Sequence, residues 1–436
     1  MVRSPRQSHR CAPAFARALL VAVGMAAAAA PWQPAAAAPP LEQLQRSDAA
    51  GLVAYVTLEG APALVDPSSG ARVQLDLVPQ RAQFPAWSPD GSTVSVIATR
   101  SDGPGLDLYR LDRPGSQRAY VDAAAPPIYH GWSPGGTRLA LLTSDAGSLA
   151  LRLIDIDAGG AAGDARRFAE GAPFFWDWSP DGDALLVHRN VMSAEAEVGI
   201  TGLDAYVLDP SFAAPGAFQS PAFSPSGAWV AYATRDGGDT RRVVLERLVS
   251  DDAAERRREL PHTGFTAFAW HPERDVLAVQ RAVAGGPHAY GPIVTIDAER
   301  GDLEPLVDDL ALAFWWSPDG ARVAYLAPVP AARPEREQQV MARVQSPNGR
   351  MALRVVEVAS GDLRELARFT PSPLFVTQYL PFFDQYARSH RLWSPASDAL
   401  VLPVVDPTGG RVLRVYGLDG SARTLAPGDM PAWNVR

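Results

Sequence analysis

An aromatic residue followed by Ser-Pro-Asp-Gly, or a close variant, recurs along this chain at nearly constant spacing. The copies begin at Trp87, Trp132, Trp178, Phe223, Trp270, Trp316 and Trp393. Successive copies lie 45, 46, 45, 47, 46 and 77 residues apart, and Trp433 follows 40 residues after the last. A period of this length indicates one architecture built from copies of a single supersecondary unit.

The repeated motif has the chemistry of a tight turn. Pro presets φ for the second turn position, Asp or Ser suits the third, and Gly tolerates the left-handed conformation that follows. Short runs rich in β-branched and aromatic residues come next, such as 93–99 and 106–111, and then a weaker fourth segment such as 165–168. Four short antiparallel strands in about 45 residues are typical of a β-propeller blade. The motif Trp is then expected to pack between neighbouring blades.

The two ends of the chain complete each other in this pattern. Residues 52–78 resemble the second to fourth strands of a blade that has no first strand, and residues 430–435 resemble a first strand with nothing after it. We therefore predict an all-β fold, a single propeller over 52–436, closed by N- and C-terminal strands that share a blade. Eight four-stranded blades is the prediction, and seven is the alternative. Residues 38–51 are predicted to be a short linker.

The Trp-Ser-Pro-Asp-Gly turns, each followed by a strand such as 322–326, resemble TolB-type (PD40, WD40-like) propeller repeats. The resemblance covers almost all of the chain after residue 37. It implies the blade type but no single function, because the family includes TolB, peptidase propellers and many secreted proteins of unknown role. TolB carries an α/β domain before a smaller propeller, and residues 38–51 are too few for one. We expect no appended hydrolase domain like that of the peptidase relatives.

The first 37 residues have the features of a cleaved secretory signal peptide. Four Arg residues precede an apolar stretch over 18–30, and a run of Ala over 35–38 offers a cleavage site. The apolar stretch is too short to span a bilayer well. We therefore expect a periplasmic or extracellular protein, without a transmembrane segment after processing.

Composition excludes several function classes. The chain contains no Lys, so it has no Walker A lysine, Schiff-base lysine or Ser-Lys dyad. Its net charge of −8 argues against nucleic-acid binding. The only cysteine, Cys11, lies in the predicted signal peptide, which leaves no thiol for disulfides, catalysis or metal binding.

Two insertions account for the long interval between Trp316 and Trp393. Residues 328–350 are rich in Pro and charge, and residues 371–391 carry many aromatic rings. Strand alternation places both on one face of the propeller, where lengthened loops tend to carry function. The candidate binding residues are Tyr379, Phe382, Phe383, Asp384, Tyr386, Arg388, His390 and Arg391. Two interpretations remain open: a binding patch with aromatic anchors, or a plug whose rings cap the central channel.

Channel chemistry is the other place where function could lie. His130 and Asp177, with His390, fall on predicted innermost strands and could approach the channel. The segment 131–135 matches the hydrolase pattern G-x-S-x-G, but it falls on the blade turn, and Pro134 lacks the N–H that an oxyanion hole uses. We assign no catalytic residue, no metal and no cofactor.

Two functions follow from these observations. The first is a monomeric, non-enzymatic binding or scaffold module for a protein, peptide or envelope component. The alternative is a propeller hydrolase or lyase that acts on a glycan or lactone with a channel-bound metal, which would need at least three convergent His, Asp or Glu side chains.

Overall fold

The computed structural model of the protein describes residues 51–76, 81–191, 193–209, 212, 214–235, 241–250, 252, 256–281, 291–329 and 349–434. This part of the chain is all-β apart from short helical turns, most of them in one segment near the C-terminal end. The predicted signal peptide and almost all of the predicted linker lie outside the described residues, as does most of the insertion over 328–350.

The strands of the described residues form seven antiparallel sheets, numbered here in chain order. Sheet one contains β1 (Val53–Val56), β2 (Pro62–Val65), β3 (Arg72–Gln74) and the last strand, β30 (Asp429–Trp433). Sheet two contains β4 (Arg81–Trp87), β5 (Thr93–Arg100), β6 (Gly103–Arg110) and β7 (Gln117–Val121). Sheet three contains β8 (Pro127–Trp132), β9 (Arg138–Asp145), β10 (Ser148–Asp155) and β11 (Arg166–Glu170).

The next three sheets follow the same plan. Sheet four contains β12 (Phe174–Trp178), β13 (Ala184–Arg189) and β14 (Glu197–Gly202). Sheet five contains β15 (Ala222–Phe223), β16 (Trp229–Arg235), β17 (Arg241–Arg247) and β18 (Arg257–His262). Sheet six contains β19 (Thr266–Trp270), β20 (Val276–Arg281), β21 (Gly291–Asp297) and β22 (Leu303–Ala311).

Sheet seven is longer than the others. Its strands are β23 (Ala313–Trp316), β24 (Arg322–Pro328), β25 (Met351–Glu357), β26 (Leu363–Pro371), β27 (Ala399–Val405), β28 (Arg411–Gly417) and β29 (Ala422–Pro427). Only two residue pairs, Thr370 with Val405 and Pro371 with Val404, join its first four strands to its last three. Trp393 adds a single bridge to Leu400 at the open side of β27.

The repeated motif folds as the turn that its sequence predicts. In the first copy, the Gly91 N–H donates to the Ser88 carbonyl at 2.9 Å, and the Ser88 hydroxyl donates to Asp90 at 2.6 Å. Gly91 has φ of 71°, in the left-handed region that favours glycine. Ser133 of the G-x-S-x-G match occupies the same turn and is buried, with its hydroxyl accepting the Arg138 N–H at 3.0 Å. That serine is therefore a turn residue.

Five of the motif tryptophans bond through their indole N–H to the preceding repeat, in agreement with the predicted packing between neighbouring units. The Nε1 of Trp270 donates to the Ala222 carbonyl at 3.2 Å, and the Nε1 of Trp316 donates to the Ala269 carbonyl at 3.1 Å. Equivalent bonds join Trp87 to Ala432, Trp132 to Ser95 and Trp393 to Trp315. A large ring at each junction fills the space where two twisted sheets diverge.

The first and last strands lie in one sheet. β1 pairs antiparallel with β30, with Val53 opposite Trp433 and Ala54 opposite Ala432. The Trp433 N–H also donates to the Arg391 carbonyl at 2.9 Å, which links sheet one to the segment that precedes β27 of sheet seven. The sheets therefore follow one another and return to the first, an arrangement consistent with a β-propeller. The predicted sharing of one sheet by both ends is confirmed.

One predicted strand is wrong. The sequence favours residues 205–208 as the second strand after the Trp178 turn, the third of that unit, but β14 occupies Glu197–Gly202. Residues 205–208 instead lie beside β14 as irregular backbone, where the Asp209 N–H donates to the Ile200 carbonyl at 3.0 Å. Both segments are short, so their composition alone does not decide between them.

Candidate functional site

Residues 372–391, called the plug segment here, form the longest helical insertion between two described strands. They comprise a π-helical turn (Phe375–Tyr379), a 3-10 turn (Leu380–Phe382) and one α-helical turn (Phe383–Tyr386). Ser372 starts the segment, because its hydroxyl accepts the Phe375 N–H at 3.2 Å. Pro381 lacks an N–H and lies at the start of the 3-10 turn, which favours a change of helix type there.

The segment lies on the face opposite the repeated turns. Each Ser-Pro turn joins the first strand of a sheet to its second, so these turns share one face, called the turn face here. Because strand direction alternates in an antiparallel sheet, the connection from β26 to Trp393 lies at the opposite face, called the plug face.

The rings of the plug segment point inward, onto the first strands of several sheets. Phe383 lies 5.6 Å from Phe314 of sheet seven, measured between ring centroids. Tyr386 lies 4.8 Å from Tyr129 of sheet three and 5.1 Å from Phe84 of sheet two. The first strands of separate sheets come together only around the axis of the ring. The plug segment therefore covers the axis at the plug face.

Polar contacts fix the segment to sheets four and five. Gln385 Oε1 accepts the backbone N–H of Trp176 at 3.1 Å, and a carboxylate oxygen of Asp384 accepts the backbone N–H of Ser220 at 3.1 Å. The Arg388 guanidinium lies 3.1 Å from Asp177. It also donates to the carbonyls of Trp176 at 3.0 Å and of residue 221 at 2.6 Å.

Burial changes the acidity of these groups. Burial raises the pKa of Asp384 to about 6, although the Ser220 N–H and the Arg388 charge favour its ionised form. Burial likewise raises the pKa of Asp177, and the Arg388 charge opposes that rise. The negative charges of Asp384 and Asp177 therefore share one compensating cation, the Arg388 guanidinium.

Hydroxyl and imidazole groups bond in two sets near the end of the segment, one joining the segment to sheet three and one joining sheet three to sheet two. The Tyr129 hydroxyl lies 2.8 Å from the Ser389 hydroxyl, which lies 2.7 Å from His390 Nδ1. His130 Nε2 lies 2.7 Å from the Ser95 hydroxyl. Burial lowers the pKa of His130 to about 4, and burial together with the His130 charge lowers that of His390 to about 3. Both imidazoles are therefore neutral at pH 7.

The structure brings the predicted residues together but turns most of them inward. Tyr379, Phe383, Asp384, Tyr386, His390 and the channel candidate His130 are buried; Phe382, Arg388 and Asp177 are partly buried; Arg391 is exposed. The sequence left a binding patch and a plug open, and here most of the rings contact the first strands instead of solvent. The packing agrees with the plug interpretation.

Several residues of this cluster are absent from the sequence-based prediction. They are Phe84, Tyr129, Trp176, Ser220, Gln385 and Ser389. Phe84 and Tyr129 precede their motif aromatic by three residues and Trp176 by two, all on first strands, and Ser220 lies just before the first strand of sheet five. Their place on or beside the innermost strands was the available signal, because these strands surround the axis.

The described residues contain no group of three or more His, Cys, Asp or Glu side chains placed to hold a metal ion. Within the same ranges, no helix is long and apolar enough to cross a membrane.

Comparisons with solved structures agree with the fold. The chain is similar to a eukaryotic initiation factor, with 12% identity, a TM-score of 0.52, and coverage of 89% of this chain and 99% of the other. It is also similar to TolB from Acinetobacter baumannii, with 14% identity, a TM-score of 0.38 and coverage of 92% and 88%. A third match is an oligogalacturonate lyase in complex with manganese, with 10% identity, a TM-score of 0.43 and coverage of 86% and 84%.

The identity to the initiation factor is low, so that match bears on the fold alone. No family model matches the chain. No curated protein sequence matches it.

Proposed function

We propose that this protein is an exported, eight-bladed β-propeller that acts as a non-enzymatic binding or scaffold module for a protein, peptide or envelope component. Six sheets would each be one blade. The seven-stranded sheet would be two blades, since only the pairs at Thr370 and Pro371 join its halves. The cleaved segment would be residues 1–37, and the exported chain would be monomeric.

The observation that carries this proposal is that the axial side chains of Asp177, His130 and His390 each bond to another protein group. Asp177 is bound to Arg388 and accepts the Phe223 N–H at 2.8 Å. His390 Nδ1 and His130 Nε2 bond to serine hydroxyls. These side chains hold the plug segment in place, so on the plug face a partner would meet the outer surface of the segment.

That outer surface has the composition of a protein contact. Thr377 and Pro381 are exposed, and Leu380 and Phe382 are partly exposed beside them. Partly exposed apolar side chains on a rigid base can bury area in a complex with little loss of conformational entropy.

A site-specific photo-crosslinker tests the proposal. It would replace Thr377 on the plug face in one variant of the exported chain. In the control it would replace Ala158, which is exposed in the connection between β10 and β11 on the turn face. After irradiation in an envelope extract, we expect a discrete adduct from position 377 that unlabelled protein competes away, and none from position 158.

Equal adducts from both positions, or none from either, would overturn the proposed plug-face binding. Turnover of a glycan or lactone by the purified protein, lost after chelation, would instead establish the hydrolase or lyase alternative.

A further inference from the structure

Arg391 differs from the other cation of the plug segment in having no polar partner. Arg388 is bound to Asp177 and to two carbonyls, whereas the Arg391 guanidinium has no hydrogen bond or ion pair with any residue that the structure describes. Its backbone is well fixed, because the Arg391 carbonyl accepts the Trp433 N–H and the Leu392 carbonyl accepts the Val401 N–H at 2.8 Å. These contacts place residue 391 among the first strands around the axis, between sheets seven and one.

The side chain reaches solvent inside the ring. His390 and Leu392 on either side are buried, whereas Arg391 is exposed. Yet burial lowers the pKa of its guanidinium, and no carboxylate opposes that effect. Because its backbone lies beside the first strand of sheet one, we infer that its exposed side chain faces the lumen along the axis.

Other first-strand residues define this lumen. A Cβ added at Gly131 would meet no atom within 4 Å, so that strand borders open space. Trp132, Trp270 and Trp316 lie at the turn-face ends of their first strands and are partly exposed. Their indole N–H groups already bond to the preceding sheets, which leaves ring surface for contact with a ligand.

We propose that the axial lumen, entered from the turn face, binds an oxyanion group, a carboxylate or phosphate, through Arg391. The Arg391 guanidinium is accessible and has no carboxylate partner among the described residues, so its hydrogen-bond donors are available to an anion. The planar guanidinium matches such groups with two parallel hydrogen bonds. Since the plug segment covers the axis at the other face, this site is separate from the proposed plug-face surface, and either can fail without the other.

Arginine modification by phenylglyoxal provides the test, because the chain has no Lys and all its side-chain cations other than His are Arg. Arg391 is accessible, unpaired and of lowered pKa, so we expect it to react first among the described arginines, as mapped by mass spectrometry. Inorganic phosphate or succinate should slow its modification at least tenfold. The paired Arg388 serves as the internal reference.

Anion-dependent stability gives a second measurement. Phosphate or succinate should raise the unfolding midpoint of the wild type more than that of Arg391→Met. The variant is the control for general effects of salt on stability. Protection by only one anion identifies the group that the site accepts. Slow modification of Arg391, modification that neither anion affects, or equal midpoint shifts in both proteins would overturn the proposal.

Discussion

The Arg388 guanidinium lies 3.1 Å from a carboxylate oxygen of Asp177, and this ion pair joins the plug segment to the first strand of sheet four. Both side chains are mostly buried, with exposed fractions of 25% and 19%. The pair is therefore weakly screened, and removing one partner leaves the other charge without compensation.

The substitution Arg388→Met should lower the free energy of unfolding by about 2 kcal/mol, because Asp177 would keep a poorly solvated charge. Urea unfolding at pH 7 measures the loss. The control is Arg300→Met, in which the guanidinium is 73% exposed, and we expect a change below about 0.5 kcal/mol. Similar losses in both variants would contradict a structural role for the plug segment.

Two adjacent rings should differ in what they contribute to stability. Phe383 is buried against Phe314 and Trp315, so Phe383→Ala should cost about 3 kcal/mol. Phe382 is partly exposed, and Phe382→Ala should cost about 1 kcal/mol. Thermal and urea unfolding of the two variants, compared with the wild type, measure both values. A larger loss for Phe382 would mean that the segment presents the opposite side to the axis.

The pH dependence of stability should change in Asp384→Asn. A carboxyl with a folded pKa of about 6, above its ordinary value of 3.8, favours the folded state most while it is protonated, so its contribution falls as the pH rises from about 4 to 6. The amide keeps an oxygen for the Ser220 N–H and does not ionise. The variant should therefore gain about 2 to 3 kcal/mol relative to the wild type between pH 4 and 7.5.

The difference between the two proteins is the quantity to measure, at a series of pH values. His130 and His390 have lowered pKa values, so their contribution is present above the ordinary histidine pKa and is lost on acidification. They occur in both proteins and cancel in the difference. A stability difference that does not vary with pH would show that Asp384 titrates normally.

The closing sheet can be tested at a glycine. Gly91 and Gly70 have similar positive φ values of 71° and 74°, but a Cβ at Gly91 would lie 2.5 Å from Asn434 Oδ1, whereas one at Gly70 would meet nothing within 4 Å. We expect Gly91→Ala to cost about 1 kcal/mol more than Gly70→Ala in unfolding free energy. Combining Gly91→Ala with Asn434→Ala should remove most of this excess, and a purely additive double variant would contradict the contact.

The turns and the closure could be predicted because they follow local rules. Pro and Gly at fixed positions specify the Ser88 to Gly91 turn, and the incomplete sheets at the two ends leave one another as partners. The inward direction of Tyr379 and Tyr386 could not be predicted, because a segment of π, 3-10 and α turns has no single period from which to assign faces. Tyr129 and Gln385 are 256 residues apart in sequence, so no local pattern connects them.

The pairing of β1 with β30 has a consequence for biogenesis. The strands β1 to β3 have an unpaired edge until β30 leaves the ribosome, some 370 residues later. The first sheet therefore stays incomplete until residues 429–433 have been synthesised. Premature termination before residue 429 would leave that edge free to recruit a strand from another molecule.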